Sequence, residues 1–314
     1  MKKFSIMICL VSALLLGMAS CGDSQQKRLR LSKQEKARLD SIDRASLKVG
    51  VMPTLDCLPV YLAYEDSIFL KQGVTVHLYR YNAQMDCDTA IARKRVEGTV
   101  TDLVRAARLQ KQGTQLFYPV STNLYWQLIT NRKARISELK QLSDKMIAMT
   151  RHSATDYLST LVIDSVKTKY DVYRVQINDL NIRLRMLLNN EMDAAWMPEP
   201  YATQARMAKH VALADSRDKN LQLGVIAFRS KLKTEPRRKN QIDRFVKAYD
   251  IAVDSINKNG VHHYAALLTK YYGIDAQTVS NLPKLKYSHA MEPRQRDLKV
   301  QILTIKQLQL CQKK

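Results

Sequence analysis

Apolar and polar positions along this chain fall into short runs of two periods, and the runs alternate. The first clear run is strand-like, Leu-Lys-Val-Gly-Val over 47–51, stopped by Met52-Pro53. Residues 58–70 carry a helical pattern closed by Gly73, and 74–79 alternate as a strand. A helix over 86–95, a brief strand over 98–101 and a helix over 102–112 follow, the last ending at Gly113. Strands and helices spaced in this way predict βαβ units around a parallel sheet. Right-handed crossovers then bring every strand's C-terminal end to one side.

Two further strands, 115–120 and 126–130, are joined through Ser121-Thr122-Asn123. The alternation then restarts, with a short helix at 136–142, a strand at 145–149, a helix at 154–167 and a strand at 173–177. A helix at 180–190, a strand at 193–197, a helix at 200–209 and an apolar strand at 223–228 complete this stretch. The remainder reads as helices over 240–259, 261–271, 276–281 and 293–311. Two successive α/β stretches with a helical tail predict a discontinuous α/β architecture. Residues 46–122 and 223–314 form lobe one, with the tail packed back on it, and residues 123–222 form lobe two. Two crossings between lobes make a hinge, and the cleft between them is where a small ligand sits.

Ahead of lobe one, Lys2 and Lys3 precede an apolar run over 4–17, and Met18-Ala19-Ser20 leads into Cys21. This is the layout of a signal peptide over residues 1–21. No later run is long and apolar enough to span a bilayer. A cysteine at the cut point resembles the lipobox of bacterial lipoproteins, although Met18 stands where Leu is usual. That resemblance implies an acylated Cys21 as the mature N-terminus; a plain signal peptide or a retained anchor helix are the other readings. Residues 22–45 read as a polar tether. Within it Leu29, Leu31, Leu39 and Ile42 have the spacing of a marginal amphipathic helix, and its Lys and Arg residues favour an anionic bilayer face.

Composition narrows the class. With 314 residues, 46% hydrophobic and 25% charged, the chain has enough apolar surface for one large or two ordinary domains. The net charge of +22 is spread over scattered Lys and Arg without interleaved aromatics. That pattern reads as a basic solvated surface and not a nucleic-acid interface. Of the five cysteines, Cys9 falls in the leader and Cys21 at the cut point, leaving Cys57, Cys87 and Cys311. Cys57 and Cys87 each follow an Asp just beyond a predicted strand. They read either as a disulfide or as two small buried residues at helix starts.

Several chemistries are missing from the sequence. The nine glycines form neither GxGxxG nor a P-loop, and there is no GxSxG elbow. None of the six histidines pair as HExxH, and no cysteine-histidine spacing suggests zinc. Asp86 and Asp88, two apart at a helix start, point in different directions. No catalytic residue, metal or cofactor is expected.

Polar residues collect where predicted strands end, the place where open α/β sheets bind ligands. After the first strand come Pro53, Thr54, Leu55, Asp56 and Cys57; after the second, Tyr81, Asn82 and Gln84; after the third, Thr101 and Asp102. Thr122, Asn123 and Tyr125 lie at the first crossing. Lobe two adds Arg151, His152, Ser153 and Thr155, then Asn178 and Asp179, then Pro198, Glu199 and Tyr201. Thr54, Asp56, Ser153 and Asp179 also suit helix N-caps. A cap facing a cleft remains compatible with ligand contact. Alternation sends one of Tyr125 and Trp126 inward, with Trp126 the core residue and Tyr125 the cleft residue.

These segments resemble a known group. Val49-Gly50-Val51-Met52-Pro53 followed by Leu58-Pro59-Val60-Tyr61-Leu62-Ala63 is similar to the opening of type II periplasmic binding proteins. The branch is the one serving nitrate, taurine, sulfonate and thiamine-pyrimidine-precursor importers. Glu97-Gly98-Thr99-Val100-Thr101-Asp102 resembles that branch's small strand before a helix. Asp193-Ala194-Ala195-Trp196-Met197-Pro198-Glu199-Pro200-Tyr201-Ala202-Thr203 resembles its lobe-two strand running into Glu-Pro. The likeness covers residues 47–259. It implies a hinged, two-lobed, monomeric receptor that closes on a small solute and delivers it to an ABC permease and its ATPase. It implies a lipid-anchored location on the periplasmic face of a bacterial membrane. It also implies ligand contacts from the loop after Pro53, from Thr101 and Asp102, from the Ser153 helix start and near Glu199. The carboxylates Asp56, Asp102, Asp179 and Glu199 suit a zwitterionic or amine-bearing ligand at least as well as an anion. Two alternatives stay open. One is an enzyme on the same fold that makes a pyrimidine precursor, which in that group uses a Cys-rich motif absent from this chain. The other is a scaffold or adhesin without a ligand.

Overall fold

The computed structural model describes residues 30–310, with the side chains of 304–310 excepted. The leader, Cys21, Leu29 and Cys311 lie outside the described residues. Residues up to Ser46 and residues from Leu47 onward form two separate units. In the first, α1 (residues 30–45) exposes Leu31, Leu39 and Ile42 and carries an Arg38–Glu35 ion pair at 2.7 Å.

The second unit opens with β1 (Leu47–Val51), α2 (Leu58–Glu65), α3 (Ile68–Lys71), β2 (Val76–Arg80), α4 (Gln84–Ala92), β3 (Gly98–Asp102), α5 (Leu103–Lys111) and β4 (Leu116–Ser121). It continues with β5 (Gln127–Thr130), β6 (Met146–Met149), α6 (Ala154–Val166), β7 (Tyr173–Gln176), α7 (Leu180–Leu188), β8 (Ala194–Met197), α8 (Tyr201–Met207) and β9 (Val211–Asp215). It ends with β10 (Gly224–Arg229), α9 (Pro236–Asn259), α10 (Ala265–Tyr272), α11 (Ala276–Ser280) and α12 (Gln295–Leu310).

The strands form two five-stranded sheets, ordered β2-β1-β3-β10-β4 and β7-β6-β8-β5-β9. Neither is purely parallel, which corrects the expectation from strand-helix alternation. β10 runs antiparallel to β3 and β4, and β5 runs antiparallel to β8 and β9. The reason is connectivity. β5 and β10 are the strands reached by crossing from the other sheet, so they enter where their neighbours leave. The crossing segments touch: the Thr122 amide donates to the Gly224 carbonyl at 2.9 Å. Gly224 is needed there, because a Cβ would stand 2.4 Å from Thr122 Oγ1 and 2.5 Å from Leu124 Cβ.

Local chemistry explains several boundaries. The helix expected over 58–70 is two helices, divided at Ser67, whose φ of 56° is left-handed. The helix expected over 136–142 is only a short 3-10 turn, Leu139–Leu142. β9 has no counterpart in the sequence reading. It is a sheet-edge strand whose residues are all partly or fully exposed, so it lacks an apolar face to betray it. The central strand β3 is buried at every residue. Gly98 on it leaves room for the Phe228 ring, which would lie 2.4 Å from a Cβ. The tail packs on the first sheet's helices: α9 lies against α2, and α12 against α5. There Gln301 Nε2 donates to Gln110 Oε1 at 3.0 Å. Cys57 and Cys87 are not bridged. Both are free thiols in the apolar core, and burial pushes both thiols up, so they behave as small hydrophobic residues.

Candidate functional site

A cavity with about 50 Å³ of water-accessible space, open to solvent at one side, lies between the two sheets. The first sheet contributes Met52, Thr54 and Asp56 after β1, Gln84 at the start of α4, and Val100, Thr101 and Asp102 of β3. The second contributes Thr150, Ser153 and Thr155 after β6, Asn178, Leu180 and Arg183 after β7, and Pro198 after β8. Leu124 and Trp126 of the first crossing segment line it too.

Each polar group is held by its element. Asp102 ends β3 and caps α5, its Oδ1 accepting the Arg105 amide at 2.9 Å. Its carboxylate is also supported by the Ala154 amide of α6, from the other sheet. Ser153 caps α6, accepting the Thr155 amide at 3.1 Å and donating to the Thr150 carbonyl at 2.6 Å. Thr155 Oγ1 accepts the Thr150 amide at 3.0 Å. Gln84 Nε2 donates to the Val100 carbonyl at 2.8 Å. Thr101 Oγ1 is buried and has no partner among the described residues.

The charges are unusual for a buried space. Asp56 is 4% exposed and receives the Thr122 hydroxyl at 3.1 Å. Burial outweighs its hydrogen bonds and pushes its carboxyl up to about 6. Burial likewise pushes Asp102 up to about 6, against the opposing pull of Arg105. Arg183, 1% exposed, donates from Nε to the Ile177 carbonyl at 2.9 Å, from Nη1 to the Trp196 carbonyl at 2.8 Å and from Nη2 to Thr150 Oγ1 at 2.6 Å. Burial lowers it to about 9.

Of the residues singled out in the sequence, Thr54, Asp56, Gln84, Thr101, Asp102, Ser153, Thr155, Asn178 and Pro198 meet in this cavity. Leu55, Asn123, Tyr125 and Glu199 line a smaller space that shares Asp56 and Leu124 with it. Glu199 is committed there: it accepts the Thr203 amide at 3.0 Å and hydroxyl at 2.6 Å, Arg206 Nη2 at 2.7 Å and the Tyr125 hydroxyl at 3.3 Å. Asn82 instead lines an outer groove with Arg80, Tyr271 and Tyr272. Asp179 lines none of these spaces; it caps α7, accepting the Asn181 and Ile182 amides at 2.8 and 3.0 Å. Arg151 and His152 are exposed. The sequence reading missed Met52, Val100, Leu124, Thr150, Leu180 and Arg183; Trp126, assigned to the core, is buried in the core and lines the cavity as well. Arg183 follows the Asp179 cap by four residues, one helical turn, and that spacing was its only signal. No group of His, Cys, Asp and Glu residues among those described could hold a metal ion.

With this geometry in hand, the fold is that of the periplasmic binding proteins: two α/β lobes with a cleft between them and a helical C-terminal segment. The chain belongs to the NMT1-like family, whose model matches residues 40–269. Among solved structures it is similar to the periplasmic aliphatic sulphonate binding protein SsuA from Escherichia coli. That likeness has a TM-score of 0.69 at 14% identity and covers 85% of this chain and 92% of that one. The alkanesulfonate-binding SsuA from Xanthomonas axonopodis pv. citri, bound to MOPS, matches with a TM-score of 0.69 at 14% identity, over 83% and 91% of the two chains. The periplasmic nitrate-binding protein NrtA from Synechocystis PCC 6803 matches with a TM-score of 0.65 at 11% identity, over 79% and 74%. No curated protein matches the chain in sequence.

Proposed function

We propose that this protein is a solute receptor of an ABC importer, held outside the cytosol and closing on a small polar ligand. The observation that carries the proposal is the interlobe cavity, in which Asp56 and Thr101 from one sheet face Ser153 and Arg183 from the other. Sites that draw polar groups from two lobes couple occupancy to closure, because the ligand binds the closed form better than the open one. Solved neighbours of the same fold are sulfonate and nitrate receptors, which supports the same role here. Closed lobes would be the signal read by a membrane permease and its ATPase. The leader and Cys21 support lipid attachment, which would keep the receptor near that permease at high effective concentration. No described helix is long and apolar enough to cross a membrane.

The test is to purify the protein from its native membrane, denature it, and identify released small molecules by mass spectrometry. The reading expects one compound in near-stoichiometric amount. Adding it back to refolded protein should raise the melting temperature by mass action. Release of nothing, with no stabilisation by the cell's small-molecule extract, contradicts the proposal.

A further inference from the structure

We infer that the ligand of this cavity is a small organic cation, a protonated amine or amidinium, and not an oxyanion; this rests on the receptor reading. The positive groups are spent. Arg183 gives its donors to the Ile177 and Trp196 carbonyls and to Thr150. The N-terminus of the 13-residue helix α6, which would otherwise suit an anion, faces the chain's own Asp102 and is capped by Ser153. Among the residues that line the cavity, an incoming sulfonate or nitrate would find no unengaged cation and would meet two carboxylates; Arg105, which keeps two unpartnered donor nitrogens and pulls on Asp102, is outside that lining.

Among the negative groups Asp102 is engaged by the Arg105 and Ala154 amides and by the Arg105 charge, whereas Asp56 has no cation. Asp56 is held by neutral donors only, Thr54, Thr122 and backbone amides. No Lys, Arg or His is among the groups that act on Asp56. Burying a carboxylate without a cation is costly, and such groups are normally paired. A protonated amine seated between Asp56 and the free Thr101 hydroxyl supplies the missing charge and a partner for the one unsatisfied hydroxyl of the wall. The same cation would draw both carboxylates toward their ionised forms, so each group would favour the other.

The experiment is a thermal-shift and calorimetric titration of the full chain with matched probes. Agmatine, putrescine and 4-aminopyridine form the cationic series; ethanesulfonate, taurine and nitrate form the anionic and zwitterionic series. The inference expects stabilisation by members of the cationic series and none by ethanesulfonate or nitrate. Asp56→Asn should weaken the best cation by about tenfold or more, and Asp102→Asn should weaken it as well. Asp243→Asn, at an exposed ion pair with Lys239 on α9, should leave it unchanged. Circular dichroism of each variant separates lost binding from lost fold. Stabilisation by ethanesulfonate or nitrate alone overturns the cation assignment while leaving the receptor reading intact. Stabilisation by cations that is unaffected in both Asn variants overturns the assignment of the site. Failure of every probe, together with no native ligand released on denaturation, contradicts both.

Discussion

The Leu55 amide donates to the Glu199 carbonyl at 3.0 Å, joining the loop after β1 in one lobe to the loop after β8 in the other. An antiparallel bridge between Ala83 and Asp179 makes a second backbone tie across the cleft. Both ties link loops at the strands' C-terminal ends, so separating the lobes would break them. Hydrogen exchange at the Leu55 amide is therefore expected to slow on ligand binding. Exchange within β1, whose bonds lie inside one sheet, should not change. Equal protection of Leu55 with and without ligand would show that closure does not depend on the solute.

Asp56 and Asp102 set a pH dependence. Both carboxyls are raised by burial to about 6, so the folded chain holds protons that the unfolded chain has already released. Ionising them in the fold costs stability. Their contribution therefore makes the ligand-free protein more stable as pH falls from about 6.5 toward 4, and levels off above about 6.5. Each contributes up to about 3 kcal/mol. Groups lowered by partners, such as Asp215 beside Arg217, act in the opposite sense. The clean readout is thus the difference between wild type and Asp56→Asn. The variant is expected to melt higher at pH 7.5, to keep about half that advantage at pH 5 and to lose it near pH 4.

Arg183 is a structural cation at the cavity wall. Arg183→Met would leave the Ile177 and Trp196 carbonyls and the Thr150 hydroxyl without their donor. A loss of about 3 kcal/mol in urea unfolding is expected. A change under about 0.5 kcal/mol, the range of ordinary surface substitutions, would mean that these groups find other partners.

Ser153→Ala removes the cap of α6 and should cost about 1 kcal/mol of stability. Because the Ser153 hydroxyl also lines the cavity, ligand affinity should fall beyond what the stability loss explains, as read by titration under fully folded conditions.

Gly224→Ala tests the contact between crossing segments. The new methyl would meet Thr122 Oγ1 and Leu124 Cβ well inside contact distance, so the crossings must part. A loss of about 1–3 kcal/mol is expected, with weaker ligand binding, since Leu124 also lines the cavity.

Much of the site was legible in the sequence because β-strand ends and helix caps announce themselves. Thr101-Asp102 end β3, Ser153 lies four residues past β6, Asp102 and Ser153 each open a helix, and all three line the cavity. What stayed hidden was whatever depends on the third dimension. Arg183 sits within a helix whose sequence does not mark its buried face. Asp179 shows the same cap signature as Ser153, yet its carboxylate is spent on its own helix and lines no cavity. The antiparallel course of β5 and β10 follows from chain crossings that periodicity does not record, and β9 lacks the apolar face that would mark it. Cys57 and Cys87 follow Asp in the same way, but adjacency in pattern carries no sulfur geometry.

The measurement that bears most directly on the central claim is a crystal structure of the protein purified from its native membrane without added ligand. The account predicts density for one small molecule between the lobes, within hydrogen-bond distance of Asp56 and Thr101 on one side and of the Ser153 wall on the other. A cavity holding only water or collapsed side chains, with the Leu55–Glu199 bond still formed, would contradict it.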